Sequence, residues 1–338
     1  MIPQPYHPRL TVPQPHPLST HHQPSLNVVY DPVSGQYLEY RQLLKTPEKQ
    51  VWENGCSKEF ARLCQGRSRD DTSGTDTITW IHPHELPANK RPTYIRVCAN
   101  YRPQKSDPYR VRCTLGGNRI NYPGPKSAPT ASFSLVKLLL NGVLSTPNAK
   151  FHTIDIKDFY LSTTLNEPEY VAVPISLFPS DIIEEYNLNS KVSNNTVYGK
   201  VTKEMYGLPQ AGKLAHDDLV KHLATVGYFP VKHTPGLFQN KSQSIQFTLI
   251  VDDFGVKYTN TAALHHLINH LKKKYSITEE PGTIYSGIHL KWDYVNRTCE
   301  LSIPGYVFKA PLRFNHDLPK LPQRSPYPYT IPKYGSRI

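Results

Sequence analysis

The stretch Leu249-Ile250-Val251-Asp252-Asp253-Phe254-Gly255 places two adjacent carboxylates at the end of an apolar, β-branched run. The run predicts a buried strand from Ile245 to Val251, a tight turn, and a second strand from Phe254 to Tyr258. Adjacent acids repel each other and are costly to place beside a buried strand. Two interpretations remain open for the pair: an acidic hairpin turn, which Asp favours, or a site for a divalent metal ion.

A second strand ends in acid upstream of this pair. Phe151 to Ile156 is a short apolar run that carries Asp155, and we predict Tyr170 to Val173 as its hairpin partner. If Asp155 and the Asp252-Asp253 pair lie in one antiparallel sheet, their ends can meet and form a carboxylate cluster. Hard oxygen ligands without Cys or His fit Mg²⁺ or Mn²⁺ better than Zn²⁺. Two such ions about 3.5–4 Å apart are a common arrangement for phosphate chemistry.

The charge distribution indicates a polyanionic partner. The formal net charge is +12, and the segment from Lys90 to Lys126 carries nine Lys or Arg residues against one acid. Alternation in Tyr94 to Val97 and in Tyr109 to Cys113 predicts strands with one charged face. A solvated sheet face normally mixes both signs, so phosphate or nucleic-acid binding explains this face better. A membrane is the weaker interpretation, because no apolar run approaches the roughly 20 residues that a spanning helix needs.

The rest of the pattern predicts a globular region between proline-rich ends. We predict helices over residues 50–64, 132–144, 212–227 and 261–274. A final hairpin is predicted from Ile284 to Trp292 and Cys299 to Ile303. Residues 1–26, rich in Pro and His, predict a disordered linker, and residues 316–338 predict a Pro-rich connector. The five cysteines form no CxxC pair, so the usual zinc and disulfide frameworks are excluded.

Five short motifs follow one another in a set order. They are Arg110-Val111-Arg112 with Thr114, Asp155-Ile156-Lys157-Asp158-Phe159-Tyr160-Leu161, Met205-Tyr206-Gly207-Leu208-Pro209-Gln210-Ala211-Gly212, Ile250-Val251-Asp252-Asp253 and Tyr285-Ser286-Gly287-Ile288-His289-Leu290. In this order they resemble the fingers strands, the first three palm motifs and the primer grip of a reverse transcriptase. The similarity is greatest to the copia-type long-terminal-repeat retrotransposons, and it covers roughly residues 78–330.

This resemblance implies an α+β fold of the right-hand polymerase type, with fingers and palm in which antiparallel sheet packs on helices. The implied divisions are an N-terminal helical and loop extension at 27–77, fingers at 78–150, a palm with a fingers insertion at 151–283, and a primer-grip hairpin with the start of a thumb at 284–315. No RNase H or integrase motifs follow. We therefore expect the chain to be a fragment of a Pol polyprotein that carries those domains.

The resemblance also implies roles for individual residues. The catalytic residues and ligands of two Mg²⁺ ions, or of Mn²⁺, would be Asp155, Asp252 and Asp253. The incoming nucleotide would contact Arg110, Arg112, Asp158, Tyr160 and Gln210. Tyr160 would be the steric gate against the ribose 2′-hydroxyl, and Arg112 is the first choice for gripping the triphosphate, with Arg110 open as the alternative. The primer grip would comprise Gly287, Ile288 and His289.

Three of these residues have plain structural alternatives. Asp158 and Gln210 are residue types that often open helices, and Tyr160 is a residue type that often fills a core.

The implied activity is that of an RNA-directed DNA polymerase, which transfers a nucleotidyl group from a deoxynucleoside triphosphate to a primer 3′-hydroxyl on an RNA or DNA template. Ile250 stands where such enzymes carry an aromatic residue. This departure keeps open a catalytically inactive, nucleic-acid-binding remnant of a decayed retroelement. A metal-dependent nuclease built from the same acids is a third possibility. The implied location is the cytoplasm, within the virus-like particle of a retroelement, with the nucleus as the alternative.

Overall fold

The computed structural model describes residues 28–31, 35–102 and 107–307. The linker predicted at 1–26 and the connector predicted at 316–338 lie outside these residues. Residues 25–302 group into one compact unit, and all the elements discussed below belong to it. In the described part of the chain, no helix has the length and apolarity to cross a membrane.

The predicted helices begin close to where the sequence places them, and capping side chains mark the starts of two of them. The hydroxyl of Ser132 accepts the N–H of Leu135 at 3.2 Å, and the side-chain oxygen of Asn260 accepts the N–H of Ala262 at 2.8 Å. The helices are α1 (Tyr40–Leu43), α2 (Lys49–Leu63), α3 (Phe133–Ser145), α4 (Ser180–Glu185), α5 (Ala211–Ala224) and α6 (Thr261–Lys272).

The strands pair only in antiparallel fashion within the named sheets, so the predicted α+β class is confirmed as a mixture of helices and antiparallel sheets. The strands are β1 (Val29–Asp31), β2 (Gln36–Leu38), β3 (Gly66–Arg67), β4 (Thr72–Ser73), β5 (Ile78–Ile81), β6 (Ile95–Tyr101), β7 (Tyr109–Leu115), β8 (Lys150–Ile156), β9 (Thr164–Pro174), β10 (Thr196–Lys203), β11 (Phe229–Pro230), β12 (Leu237–Asn240), β13 (Ile245–Ile250), β14 (Asp253–Tyr258), β15 (Ile277–Glu280), β16 (Ile284–Tyr285), β17 (Ile288–Asp293) and β18 (Thr298–Ser302).

A six-stranded sheet in the order β11-β12-β13-β14-β8-β15 carries the acidic motifs. Side chains alternate between its faces, so β8 sends Ile154 and Ile156 to a core shared with α5 and α6. On the opposite face Phe151 packs with Tyr285 and α3. A Cβ on Gly255 would lie 2.7 Å from the Tyr285 ring, so only glycine lets that ring cover the sheet here. Both faces are therefore buried, and the site lies at the end of the strands.

The prediction that Tyr170 to Val173 pairs with Phe151 to Ile156 is wrong. Those residues belong to β9, which pairs with β10 in the separate sheet β5-β10-β9. Both edges of β8 are already occupied, by β14 on one side and β15 on the other. Strands that follow one another in sequence are often neighbours in a sheet, but not always. Here β8 instead pairs with β14 and β15, which lie far along the chain.

The segment before residue 78 packs against the basic hairpin formed by β6 and β7. Trp52 and Phe60 of α2 are fully buried in one hydrophobic cluster with Val111 and Cys113 of β7. Gly55 lies against Val111, where a Cβ would sit 3.0 Å from a valine methyl group. Helix α2 is thus part of the core that supports the strand bearing Arg110 and Arg112.

Candidate active site

The Asp pair is presented by a two-residue turn between β13 and β14. The last paired residues are Ile250 and Asp253, so Val251 and Asp252 form the turn, and Asp253 is the first residue of β14 and not part of the turn. Val251 has φ of 60°, a left-handed conformation that is strained for a β-branched side chain by about 1–3 kcal/mol. The predicted hairpin is confirmed, and its strain lies beside the acid that it presents.

The register of the central sheet brings Asp155 directly opposite Asp253. Side chains at such opposed positions have Cβ atoms about 4.5–5.5 Å apart and point to the same face. The backbone of Asp252 is hydrogen-bonded to the end of β8, where the Ile156 N–H donates to the Asp252 carbonyl oxygen at 3.1 Å. The structure therefore brings together the three acids that the sequence singled out.

The electrostatics of the three acids are unfavourable without a cation. Burial raises the pKa of the Asp253 carboxyl to about 6, and repulsion from Asp252 and Asp155 adds to the rise. Burial also raises the pKa of Asp252, with Asp155 adding to it and Arg112 opposing it. Burial is likewise the main cause of the raised pKa of Asp155. Each carboxylate would be stabilised by a bound positive charge.

The donor set suits a divalent cation that arrives with its substrate. Among the described residues, no three His, Cys, Asp or Glu side chains are gathered closely enough to enclose a metal ion by themselves. Mg²⁺ is commonly bound through one or two carboxylates together with substrate phosphates and water, without a cage made only of protein. The opposed, mutually repelling oxygens of Asp155, Asp252 and Asp253 fit that mode of binding.

The two candidate arginines lie on one face of β7, two residues apart, but their surroundings differ. The Arg112 guanidinium carbon lies 4.9 Å from the centroid of the Tyr206 ring, and its charge lowers the pKa of Asp252 against the effect of burial. Its Nε is buried and has no hydrogen-bond partner in the described structure. The pKa of Arg110 is lowered by burial and by the charges of Arg112 and Arg102. Arg112 is therefore the arginine whose guanidinium lies over the Tyr206 ring and whose charge acts on Asp252.

A backbone contact fixes this strand against the second motif. The Leu115 N–H donates to the Tyr206 carbonyl oxygen at 2.8 Å. Gly207 has φ of 98°, and a Cβ there would collide with the Leu115 carbonyl oxygen. Glycine at 207 thus permits the close approach that places Tyr206 beside Arg112.

Tyr160 and Gln210 differ in how the structure presents them. The Tyr160 ring is half-buried, meets the Tyr206 ring edge-on at 4.9 Å, and its hydroxyl would lie 3.9 Å from a Cβ on Gly212. Gln210 occupies the residue before α5, yet its side chain makes no capping bond, and its Oε1 is buried without a partner. Tyr160 is exposed enough to meet a nucleotide, whereas Gln210 would have to become accessible first.

Asp158 stands at the start of a short 3₁₀ helix, Phe159–Ser162, but its side chain does not cap that helix. It has φ of 51°, and its carboxylate pairs with the guanidinium of Arg62 from α2. No motif marks Arg62 in the sequence, and the contact spans 96 positions. Sequence reasoning therefore missed this residue.

Comparison with known proteins identifies the family. The sequence model for reverse transcriptase (RNA-dependent DNA polymerase) matches residues 83–302, which is well over half of the chain. The chain belongs to the reverse transcriptase family. It is also similar to a curated protein described as "Retrovirus-related Pol polyprotein from transposon RE1" from Arabidopsis thaliana, with 22% identity over 175 residues. The predicted membership of the copia-type retrotransposon reverse transcriptases is confirmed.

The alignment with the Arabidopsis protein covers only a small part of that protein. The aligned part is 48% of this chain and 11% of the relative. The chain thus aligns with about a tenth of the length of this curated relative.

The residues predicted as the primer grip of this reverse transcriptase domain form a tight turn between β16 and β17. Ser286 and Gly287 both have positive φ, 47° and 80°, as a two-residue hairpin turn requires. Ile288 is buried beneath the turn, and His289 is exposed. The Tyr285 hydroxyl lies 3.0 Å from Thr248 Oγ1, which fastens the turn to the central sheet. Of the three residues, His289 is the side chain available to a ligand.

Glu204 is a second residue that sequence reasoning missed in the reverse transcriptase domain. Its side chain is fully buried two residues before Tyr206, and neither carboxylate oxygen has a hydrogen-bond partner in the described structure. Its N–H donates to the Thr163 carbonyl oxygen at 2.8 Å. Burial raises the pKa of Glu204 to about 7, and the charge of Glu169 adds to the rise. Glu204 therefore retains its proton through most of the acidic range.

Glu204→Gln is expected to stabilise the domain at alkaline pH. The folded pKa of about 7 lies above the unfolded value of 4.5, so the folded state binds the extra proton between these values and wild-type stability falls as pH rises through that window. Above pH 7 the variant should gain up to about 3 kcal/mol in unfolding free energy, and near pH 4 almost nothing. Urea unfolding at both pH values measures this, with the exposed Glu280→Gln as control. Equal effects of Glu204→Gln at both pH values would contradict the assignment.

Proposed function

We propose that this chain carries the polymerase site of an RNA-directed DNA polymerase, which transfers a nucleotidyl group from a deoxynucleoside triphosphate to the 3′-hydroxyl of a primer. The observation that carries the proposal is the placement of Asp155 opposite Asp253, with Asp252 at the adjoining turn. The charge of Arg112 acts on Asp252 and supports it. Three acids at one end of the central sheet, with the charge of an arginine from β7 acting on one of them, match what phosphoryl transfer needs, namely cation ligands and a phosphate ligand.

The residues that would hold two Mg²⁺ or Mn²⁺ ions are Asp155, Asp252 and Asp253. When bound, these cations lower the pKa of the attacking hydroxyl and offset charge on the leaving pyrophosphate. Arg112, assisted by Arg110, holds phosphate oxygens through its planar fork, which Lys cannot reproduce. Tyr160 occupies the space beside Tyr206 where a ribose 2′-hydroxyl would come, and so selects deoxynucleotides.

The divisions of a right-hand polymerase are part of the proposal. The basic β6–β7 hairpin lies in the proposed fingers at 78–150, and the six-stranded sheet with α5 and α6 lies in the proposed palm at 151–283. The sheet β16-β17-β18 forms the proposed primer grip at the start of 284–315. A primer grip must hold the 3′ end of the primer near the acids. The primer-grip assignment is supported by Tyr285, which packs against Gly255 and Thr248 of the strands that flank the Asp pair.

The proposed partners are a primer-template of RNA and DNA and the deoxynucleoside triphosphate. Pairing on the template reads the sequence, so the protein needs contacts only to backbone and base faces. Because these contacts neutralise phosphates, binding should weaken steeply as the salt concentration rises. RNase H and integrase domains are expected elsewhere in the full polyprotein.

A primer-extension assay tests the proposal. The chain is given an RNA template with a labelled DNA primer, Mg²⁺ and the four deoxynucleoside triphosphates, and we expect products longer than the primer that require both metal and nucleotides. Salt-sensitive binding without extension would replace the proposal with an inactive remnant, the outcome that Ile250 makes worth testing. Loss of template in the absence of nucleotides would indicate a nuclease instead.

A further inference from the structure

Arg62 lies in α2, outside the region that matches the reverse transcriptase family, yet its side chain reaches the proposed active site. The side chain is 23% exposed. One of its terminal nitrogens, Nη1, pairs with the Asp158 carboxylate. Asp158 is three residues after Asp155 and two before Tyr160, in the left-handed conformation that turns the chain between them. Arg62 thus holds the segment that joins a proposed metal ligand to the proposed steric gate.

The other side of the same guanidinium is held by a buried acid. Nε and Nη2 of Arg62 donate to Oε2 of Glu59 at 3.0 and 2.8 Å, and Glu59 is only 6% exposed. The remaining oxygen of Glu59, Oε1, accepts the backbone N–H of Cys113 at 2.9 Å. Cys113 is the residue after Arg112. The acid therefore connects Arg62 to the strand that presents the phosphate-binding arginine.

Arg62 and Glu59 together form a continuous chain of hydrogen bonds from β7 to the segment Asp155–Tyr160. Its chemistry favours a fixed geometry, because the planar guanidinium uses three donors in set directions and the buried carboxylate uses both oxygens. Burial raises the pKa of the Tyr206 hydroxyl, while the charges of Arg112 and, more weakly, Arg62 oppose that rise. The charges of both arginines therefore act on Tyr206, and the Arg112 guanidinium lies over its ring.

We propose that Arg62, held by Glu59, is a positioning residue for the incoming nucleotide, because it sets the spacing between Arg112 and the segment bearing Asp155, Asp158 and Tyr160. This inference rests on the proposed polymerase function. It adds to that function a residue from the N-terminal extension. A displacement of these groups by an ångström would weaken nucleotide binding before it affected binding of the primer-template, which contacts a much larger surface.

Arg62→Gln is expected to raise the KM for the deoxynucleoside triphosphate about tenfold or more, with kcat changed no more than about threefold. The Kd for primer-template should stay within about twofold. The matched control is Lys58→Gln, which removes one positive charge from the exposed side of the same helix. Arg62→Lys should recover only part of the nucleotide affinity, because an ammonium group lacks the fork that reaches Glu59 and Asp158 together.

Arg62→Gln leaves the Glu59 carboxylate buried without its cation, so this variant risks poor folding. The double variant Glu59→Gln, Arg62→Gln removes both charges and keeps an oxygen for the Cys113 N–H. It should show the same rise in KM with a melting temperature close to wild type. A purely structural role would instead lower the melting temperature and leave the KM of the folded variants unchanged.

A binding measurement separates failure of this inference from failure of the proposed function. Each protein is mixed with primer-template ending in a dideoxynucleotide, with Mg²⁺, and the Kd of the next correct deoxynucleoside triphosphate is measured. We expect wild type and Lys58→Gln to bind alike and both Arg62→Gln variants to bind about tenfold more weakly. Equal binding by all four would overturn the role of Arg62 alone. No nucleotide binding by wild type would overturn the polymerase proposal and this inference with it.

Discussion

Asp252→Asn is expected to reduce primer extension by at least about 10³-fold, the scale on which preorganised electrostatic groups act in a transition state. The substitution keeps the shape of the side chain and removes one negative charge from the proposed metal site. Asp252 lies in the turn, with its carbonyl oxygen held by the Ile156 N–H, and the amide oxygen of Asn can accept the backbone N–H of residue 252 as the carboxylate does. The loss should therefore reflect weakened metal binding and not misfolding.

Two measurements make this prediction specific. Binding of the primer-template should remain within a few fold of wild type, because the basic β6–β7 hairpin is untouched. Asp293→Asn is a suitable control, since Asp293 accepts the N–H groups of Val295 and Asn296 in the β17–β18 turn and an amide oxygen can do the same. Extension by Asp252→Asn at the wild-type rate would mean that the active site lies elsewhere.

Tyr160→Ala is expected to let the enzyme incorporate ribonucleotides, with the preference for deoxynucleotides reduced by at least about tenfold. The Tyr160 ring is half-buried against Tyr206, and its hydroxyl points towards the first turn of α5 near Gly212. Removing the ring opens space where the 2′-hydroxyl of a ribonucleotide would otherwise clash. The ratio of kcat/KM for the deoxynucleotide and the matching ribonucleotide measures the effect.

The control for this prediction is Tyr160→Phe, which keeps the ring and removes only the hydroxyl. If exclusion is steric, this variant should discriminate as wild type does, because the ring edge still fills the space. Unchanged sugar selectivity in Tyr160→Ala would rule out the steric gate and leave Tyr160 as a packing residue beside Tyr206.

Local features were predictable from the sequence to within a few residues. The hairpin at Ile245–Tyr258, helix α3 after its Ser132 cap and the stripe of leucines in α6 follow from periods of two and 3.6 residues and from capping chemistry. The motif order also identified the family. These elements can be predicted because each depends on residues within one short segment and not on a partner far along the chain.

Features that depend on pairing across long distances were harder to predict. The hairpin partner predicted for Phe151 to Ile156 was wrong, because β8 accepts β14 and β15 on its two edges and β9 joins another sheet. The first motif did not show that Asp158 faces Arg62, nor did the second motif show that Glu204 is buried without partners. Such side-chain environments arise only when elements from distant parts of the chain pack together.

By itself, the sequence determined that two adjacent acids follow an apolar strand, that an upstream strand carries a third acid near its end, and that a basic strand precedes both. Only the tertiary structure decided that Asp155 stands directly opposite Asp253, that the Arg112 guanidinium lies over the Tyr206 ring, and that α2 supplies Arg62 to pair with Asp158. The reason is physical. Residue type and local spacing set which groups are available, whereas strand register and helix packing are global choices that bury the most apolar surface.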